Sequence, residues 1–193
     1  MGSQESIAAN ERRAPLQGTV VVVSIDDKHR FGKPPRVSAT LIAGLGVEGD
    51  AHFGTFVKHR YLARRNPRSP NLRQVHLLPS ELFAELRTDG YDLGPGDLGE
   101  NITTAGLDLE SLPLDTELKI GSTATVRVTG LRTPCVLIDR FKNGLKGHLV
   151  CNLSGPPFRA GVMGVVSHGG EVCPGDAIQV DLPTRPRRLL PPL

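Results

Sequence analysis

Short β-branched segments separated by turns place the strongest constraint on the fold of this chain. The segments with strand-like composition or alternation are residues 19–24, 37–42, 74–78, 117–120, 124–128, 161–166 and 177–180. Helix signals are few: Ser80 is a good N-cap for an amphipathic helix from Glu81, and another helix is predicted near Cys135. Many short strands with two or three short helices predict a mainly β, barrel-like domain.

The length of 193 residues suits one domain with a sizeable core. Residues 1–15 are polar, and residues 184–193 combine prolines with a basic cluster, so both are interpreted as flexible tails around a single domain over residues 16–183. No apolar stretch is long enough to span a membrane, and the N-terminus lacks the apolar core of a signal peptide. The three scattered cysteines favour a reduced, cytoplasmic protein with no membrane partner.

Charge is concentrated in one part of the chain. Residues 51–80 contain no Asp or Glu, but they include Arg64, Arg65 and Arg68 among their basic residues. Such a segment attracts an anion, and phosphate is the commonest candidate, although a solvated basic loop is the alternative. The net charge of +3 is too small to indicate a nucleic-acid-binding surface, and aromatic residues for base stacking are scarce there. We therefore expect no nucleic-acid partner.

Cys135 has the local context of a functional cysteine. Thr133 is a good N-cap and Pro134 a good first helical residue, which would place Cys135 in the first turn of a helix. A helix N-terminus and the nearby Arg132 both favour the thiolate form, which suits a reactive or metal-ligating sulfur. The alternative is a cysteine that only packs. Cys151 and Cys173 lack such a context.

Two polar motifs supply further candidates. Asp50 and His52 lie two residues apart in a glycine-rich loop and are candidates to ligate a metal or relay a proton, although Asp after Gly is also a common turn former. Asn101 and Thr103 share one face of an extended segment. Uncharged hydrogen-bonding groups on one face suit a polar heterocycle or a phosphate, and a solvated edge strand is the alternative.

The order of several short motifs resembles the MOSC domain, which is named after the C-terminal domain of molybdenum-cofactor sulfurase. The matching segments are residues 49–52, 99–104, 120–121, 129–135, 160–165 and 174–176, and the resemblance covers about residues 18 to 182. Relatives include the mitochondrial amidoxime-reducing component and small bacterial reductases of N-hydroxylated bases. The resemblance implies a MOSC-type β-barrel that binds molybdenum cofactor (molybdopterin).

The resemblance implies a role for Cys135, and the residue patterns described above supply the other site candidates. A cysteine matching Cys135 is the proposed metal ligand or sulfur-handling residue, and Asp50 or His52 would supply a proton. The candidates for holding the cofactor are Arg132, Asn101, Thr103, Thr104, Arg64, Arg65 and Arg68. No Schiff-base lysine motif is present, so no pyridoxal phosphate site is assigned. No cysteine pattern for an iron–sulfur cluster is present either, so electrons would come from an external donor protein.

Three functions are compatible with these residues. The first is a molybdenum-dependent oxidoreductase that removes oxygen from a small N-oxygenated or N-hydroxylated substrate. The second is a non-redox carrier of sulfur, as a persulfide received from a donor protein, or of the cofactor itself. The third is a metal-free module that binds a phosphorylated metabolite.

Overall fold

A computed structural model of the chain describes residues 16–58, 60–151 and 155–193. The predicted N-terminal tail over residues 1–15 lies outside the described residues. In chain order the strands are β1 (Gln17–Ser24), β2 (Pro35–Arg36), β3 (Ala39–Ile42), β4 (Gly46–Val47), β5 (Val75–Pro79), β6 (Ile102–Ala105), β7 (Glu117–Ile120), β8 (Ala124–Leu131), β9 (Val162–His168), β10 (Gly170–Val172) and β11 (Ala177–Asp181). The α-helices are α1 (Arg60–Arg65), α2 (Glu81–Thr88), α3 (Val136–Phe141) and α4 (Leu145–His148), and a 3₁₀ helix spans Leu109–Ser111.

Seven strands form a closed barrel in the order β11-β7-β8-β9-β5-β6-β1, and β1 pairs with β11 to close it. All neighbours in the barrel are antiparallel except β5 and β6, which are parallel. Strand β2 adds to the edge of β1, and β10, β3 and β4 form a separate small sheet. The prediction of a mainly β, barrel-like fold with a few short helices is confirmed.

The barrel interior is filled by the apolar residues that alternate along its strands. In β11, Ile178 and Val180 are buried while their neighbours are exposed, which is the period-two pattern of a strand with one face on the core. A second apolar cluster lies where α2 packs beside the barrel and includes Leu78, Leu82 and Leu86. Within the described residues, no helix has the length and apolar character needed to cross a membrane.

Most predicted strands lie where the sequence placed them, and the differences are local. Helix α2 begins at Glu81 as predicted, but the Ser80 side chain makes no capping hydrogen bond. The sequence did not reveal the short elements β2, β4, β10, α1 and α4.

The structure differs from the predicted C-terminal tail. Leu190 is only 7% exposed and belongs to the barrel core, and Pro192 forms a parallel bridge with Leu131. A proline lacks the N–H of a central strand but is tolerated at a strand edge, which is where these residues lie. The prolines that argued for a tail are therefore compatible with an edge segment.

Candidate functional site

A cavity of ≈ 320 Å³ opens where β8 ends and where β5, β6 and β9 begin. Loops after β1 and β4 complete its walls. Its lining residues are His29, Arg30, Phe31, Lys33, His52, Arg73, His76, Leu98, Gly99, Asn101, Arg132, Thr133, Cys135, Val136, Leu137 and Met163. Among the described residues that line it, none is Asp or Glu and four are Arg or Lys, so the lining is basic.

Cys135 lies in this cavity at the start of α3. It is half-buried and occupies the N-cap position, with φ −98° and ψ 168°, so the helix begins at Val136 rather than at Pro134. The predicted cap at Thr133 is wrong, because the Thr133 N–H donates to the carbonyl oxygen of Leu193 at 3.1 Å and the chain stays extended there. Cys135 nevertheless lies at the helix N-terminus, and its side chain lines the cavity.

Two guanidinium groups lie near Cys135. The Arg132 N–H donates to the carbonyl oxygen of Gly161 at 3.0 Å, which fixes its backbone, and Nη2 lies 3.4 Å from the carbonyl oxygen of Leu98. The Nη1 atom of Arg132 is buried with no hydrogen-bond partner. Burial, and next the charge of Arg132, lower the pKa of Arg73. Glu100 acts on Arg132 from outside the lining, but no carboxylate lines the cavity with the two cations, and such an arrangement attracts an anion.

Asp50 does not line the cavity, but it contacts three residues that do. Its Oδ2 accepts hydrogen bonds from Lys33 Nζ at 2.7 Å and from Asn101 Nδ2 at 2.8 Å, and its Oδ1 accepts the His52 N–H at 2.9 Å. The same Oδ1 lies 3.2 Å from His52 Nδ1. Burial alone would raise the pKa of Asp50, but His52 and the charge of Lys33 hold that pKa well below its usual value. Asp50 is therefore a buried carboxylate that orients His52, which does line the cavity.

The predicted polar face of Asn101 and Thr103 is not formed. Asn101 lines the cavity and is held by three contacts: Oδ1 accepts the His76 N–H at 3.1 Å, and Nδ2 donates to Asp50 and to the Ser24 carbonyl oxygen. Thr103 Oγ1 instead donates to Glu100 Oε1 at 3.0 Å. Strand β6 begins only at Ile102, so strand alternation does not extend back to Asn101.

The remaining predicted cofactor contacts lie away from the cavity. Thr103 and Thr104 are fully buried and do not line it. Arg64, Arg65 and Arg68 are exposed, in α1 and the turn after it, and do not line it either. Among the described arginines of residues 51–80, Arg73 is the one that lines the cavity.

Lys33 and His76 are site residues that the sequence did not single out. His76 is 5% exposed, and its Nε2 lies 2.8 Å from the Ala160 carbonyl oxygen, to which it donates as a neutral ring. Burial, and next the charge of Arg132, lower the pKa of His76 to about 3. A polar residue within the apolar run of β5 was the available signal. Nothing in the sequence around Lys33 pointed to Asp50.

No group of three or more His, Cys, Asp or Glu side chains in the described ranges is arranged to hold a metal ion. Among the described residues that line the cavity, Cys135 supplies the one thiol, and His29, His52 and His76 supply imidazoles.

Solved structures with a similar fold come from several bacteria. The YUAD protein from Bacillus subtilis matches with a TM-score of 0.73 and 23% identity, over 89% of this chain and 99% of that chain. YiiM from Escherichia coli matches with a TM-score of 0.63 and 18% identity, over 91% of this chain and 74% of that chain. YiiM from Geobacillus stearothermophilus matches with a TM-score of 0.61 and 19% identity, over 85% of this chain and 75% of that chain. These likenesses show a shared fold.

The sequence itself identifies the family. No curated protein matches the chain. The model of the MOSC domain matches residues 48–179, which is more than half of the chain and includes Asp50, Asn101, Arg132 and Cys135. The chain therefore belongs to the MOSC domain family, which is associated with binding of molybdenum cofactor.

Proposed function

We propose that the cavity binds molybdenum cofactor, and that the protein is a small reductase of N-oxygenated or N-hydroxylated compounds. The observation that carries the proposal is the meeting of Cys135, Arg132 and Arg73 in one cavity without a lining carboxylate. A thiol beside two cations suits a ligand that combines a soft metal centre with an anionic group.

The residues present fit the cofactor. An unpaired buried N–H is costly, so Arg132 Nη1 lacks the partner that an anionic oxygen would supply. Molybdopterin carries a phosphate, which is such a group. The volume of ≈ 320 Å³ lies within the usual range for small-molecule sites, about 300–1,000 Å³.

Each residue has a distinct role in this proposal. Cys135 would supply a soft sulfur ligand to the molybdenum of the cofactor. Arg132 and Arg73 neutralise the anionic charge of the cofactor, and Asn101 supports the pocket wall. The cofactor supplies two-electron redox chemistry when bound. An external electron-donor protein would deliver the electrons.

The reaction removes one oxygen atom from nitrogen. The N–O bond breaks, the substrate takes up two electrons and two protons, and the oxygen leaves as water. His52 is placed to deliver a proton, because Asp50 contacts its Nδ1 and leaves Nε2 as the second ring nitrogen. Exposed apolar side chains at the rim, Val136 and Leu137, offer a surface for the organic part of a substrate.

A carrier of sulfur or of the cofactor is the second candidate. The half-buried position of Cys135 beside the exposed Val136 favours this function, because a partner protein can reach the sulfur.

A turnover measurement separates the reductase from the carrier. Cofactor-loaded protein with a chemical reductant should convert an N-hydroxylated base to its amine, and His52→Gln should slow this without loss of molybdenum. Bound molybdenum without turnover would establish the carrier instead. Protein that takes up no molybdenum but binds a phosphorylated metabolite would support the metal-free module.

A further inference from the structure

The C-terminal end of β8 is paired on one edge with residues 191–193 rather than with barrel strand β7. Strand β7 pairs with β8 only from Ile120 opposite Ala124 to Glu117 opposite Arg127. Beyond that point, the Leu131 N–H donates to the Pro191 carbonyl oxygen at 2.8 Å, and the Leu193 N–H donates to the Leu131 carbonyl oxygen at 2.9 Å. We call residues 190–193 the C-terminal segment.

Gly130 is shaped to accept this segment. A Cβ atom at Gly130 would lie 2.5 Å from the Pro191 carbonyl oxygen and 2.7 Å from Leu193 Cγ, so only glycine leaves room. Gly130 is not among the residues with positive φ, so its backbone does not itself demand glycine. Leu190 anchors the segment, since it is 7% exposed within the barrel core. The C-terminal segment is therefore held by close packing against Gly130 and by the buried side chain of Leu190.

The segment holds the part of the chain that carries the site. On one side, the Thr133 N–H donates to the Leu193 carbonyl oxygen at 3.1 Å. On the other side, the Arg132 N–H donates to the Gly161 carbonyl oxygen at 3.0 Å. Residues 131–133 thus lie between β9 and the C-terminal segment, and Cys135 follows two residues later. Loss of one edge partner would free the backbone that sets the directions of the Arg132 and Cys135 side chains.

We propose that the C-terminal segment is a positioning element of the cavity, which holds Arg132 and Cys135 in place through Leu131 and Thr133. This role does not depend on which ligand the cavity binds, so it goes beyond the proposed function and can be tested without cofactor.

The test compares the full chain with a chain that lacks residues 191–193 but keeps the anchor Leu190, both purified without added cofactor. Hydrogen exchange at the Leu131 and Thr133 amides should become about tenfold faster or more, because both lose their acceptors. Alkylation of Cys135 by iodoacetamide should rise at least about threefold relative to Cys173, as local opening exposes a half-buried sulfur. Leu189→Ala in the full chain is the control, since Leu189 is 92% exposed, and it should change neither rate.

Gly130→Ala provides a second, independent variant. In the full chain its new Cβ should displace the segment and reproduce both effects, which keeps the test decisive if the shortened chain does not fold. In the shortened chain it should add nothing, because the nearest atoms to that Cβ belong to Pro191 and Leu193. The proposal is overturned by unchanged amide exchange and Cys135 alkylation in Gly130→Ala, by additive effects of the two changes, or by an equal rise at Cys135 and Cys173.

Discussion

At the scale of single residues, the site depends on buried charges that compensate each other. Asp50 and Lys33 are 5% and 8% exposed and form a 2.7 Å ion pair, in which Lys33 lines the cavity and Asp50 does not. Burial lowers the pKa of Lys33 while Asp50 opposes that shift. Because each charge is far from water, removing one leaves the other uncompensated.

Asp50→Asn should therefore lower the free energy of unfolding at pH 7 by about 3 kcal/mol. The pKa of Asp50 is lowered in the folded protein, so its contribution is present above the unfolded value near 3.8 and is lost as the pH falls below it. Urea unfolding at a series of pH values should show the two proteins converging only below about pH 4. Asp181→Asn, at the exposed pair with Lys119, is the control and should cost less than about 1 kcal/mol. A cost for Asp50→Asn as small as that of the control would contradict this account.

His76 should make stability depend on pH in a different range. Its pKa is lowered to about 3, so the unfolded chain takes up a proton below about pH 6.5 while the folded protein does not. The free energy of unfolding therefore keeps its full value with respect to His76 above about pH 6.5, and it falls as the pH decreases below that value. Between pH 7.5 and 5 the parent protein should lose about 2 kcal/mol more than His76→Gln, measured by urea unfolding. Parallel stability curves for the two proteins would show that His76 does not stay neutral when folded.

At the scale of elements, an irregularity in β8 connects three parts of the site. The pairing of β8 with β9 shifts register between Val128 and Gly130. Thr129 lies at this shift, and its Oγ1 is 2.6 Å from the Leu72 carbonyl oxygen and 3.0 Å from that of Met163. The hydroxyl thereby ties β8 to β9 and to the segment that carries Arg73 into the cavity.

Thr129→Val keeps the shape of the side chain but removes this donor. We expect the free energy of unfolding to fall by about 1–2 kcal/mol, because a buried carbonyl oxygen loses its hydrogen bond. Thr123→Val, on an exposed turn residue, is the matched control and should change stability by less than about 0.5 kcal/mol. Denaturant midpoints at constant m-value are the measurement. Equal midpoints for the two variants would mean that the Thr129 hydroxyl contributes nothing.

At the scale of the whole molecule, the basic segment divides into two parts. Arg68 is exposed and does not line the cavity, whereas Arg73, in the same acid-free stretch, does. Arg73→Ala should weaken cofactor retention about tenfold or more, as expected for loss of a charge-assisted hydrogen bond. Arg68→Ala should retain the cofactor as the parent does. Loss of cofactor in Arg68→Ala alone would support the alternative that the exposed arginines hold the phosphate.

The sequence predicted what local patterns determine. β-Branched runs and turns marked the barrel strands, since strand alternation is read within a few residues. Arg132 and Cys135 are only three residues apart, so their proximity was predictable from the sequence, and both line the cavity. Contacts between distant residues were not predictable: Lys33 with Asp50, and Leu131 with the C-terminal segment, depend on how the barrel closes. The expected face of Asn101 and Thr103 failed because the exact start of β6 is not visible in the sequence.

Whether the Cys135 cavity holds molybdenum cofactor can be measured by quantifying molybdenum and pterin in the parent protein and in Cys135→Ser, both purified from a host that makes the cofactor. We predict that the parent carries both in equal amounts, and that Cys135→Ser remains folded but loses most of its molybdenum, because a serine hydroxyl is a harder and much less acidic ligand. Cys173→Ser, outside the cavity, should match the parent. Equal molybdenum in the parent and in Cys135→Ser, or none in either, would show that Cys135 does not hold the cofactor in this cavity.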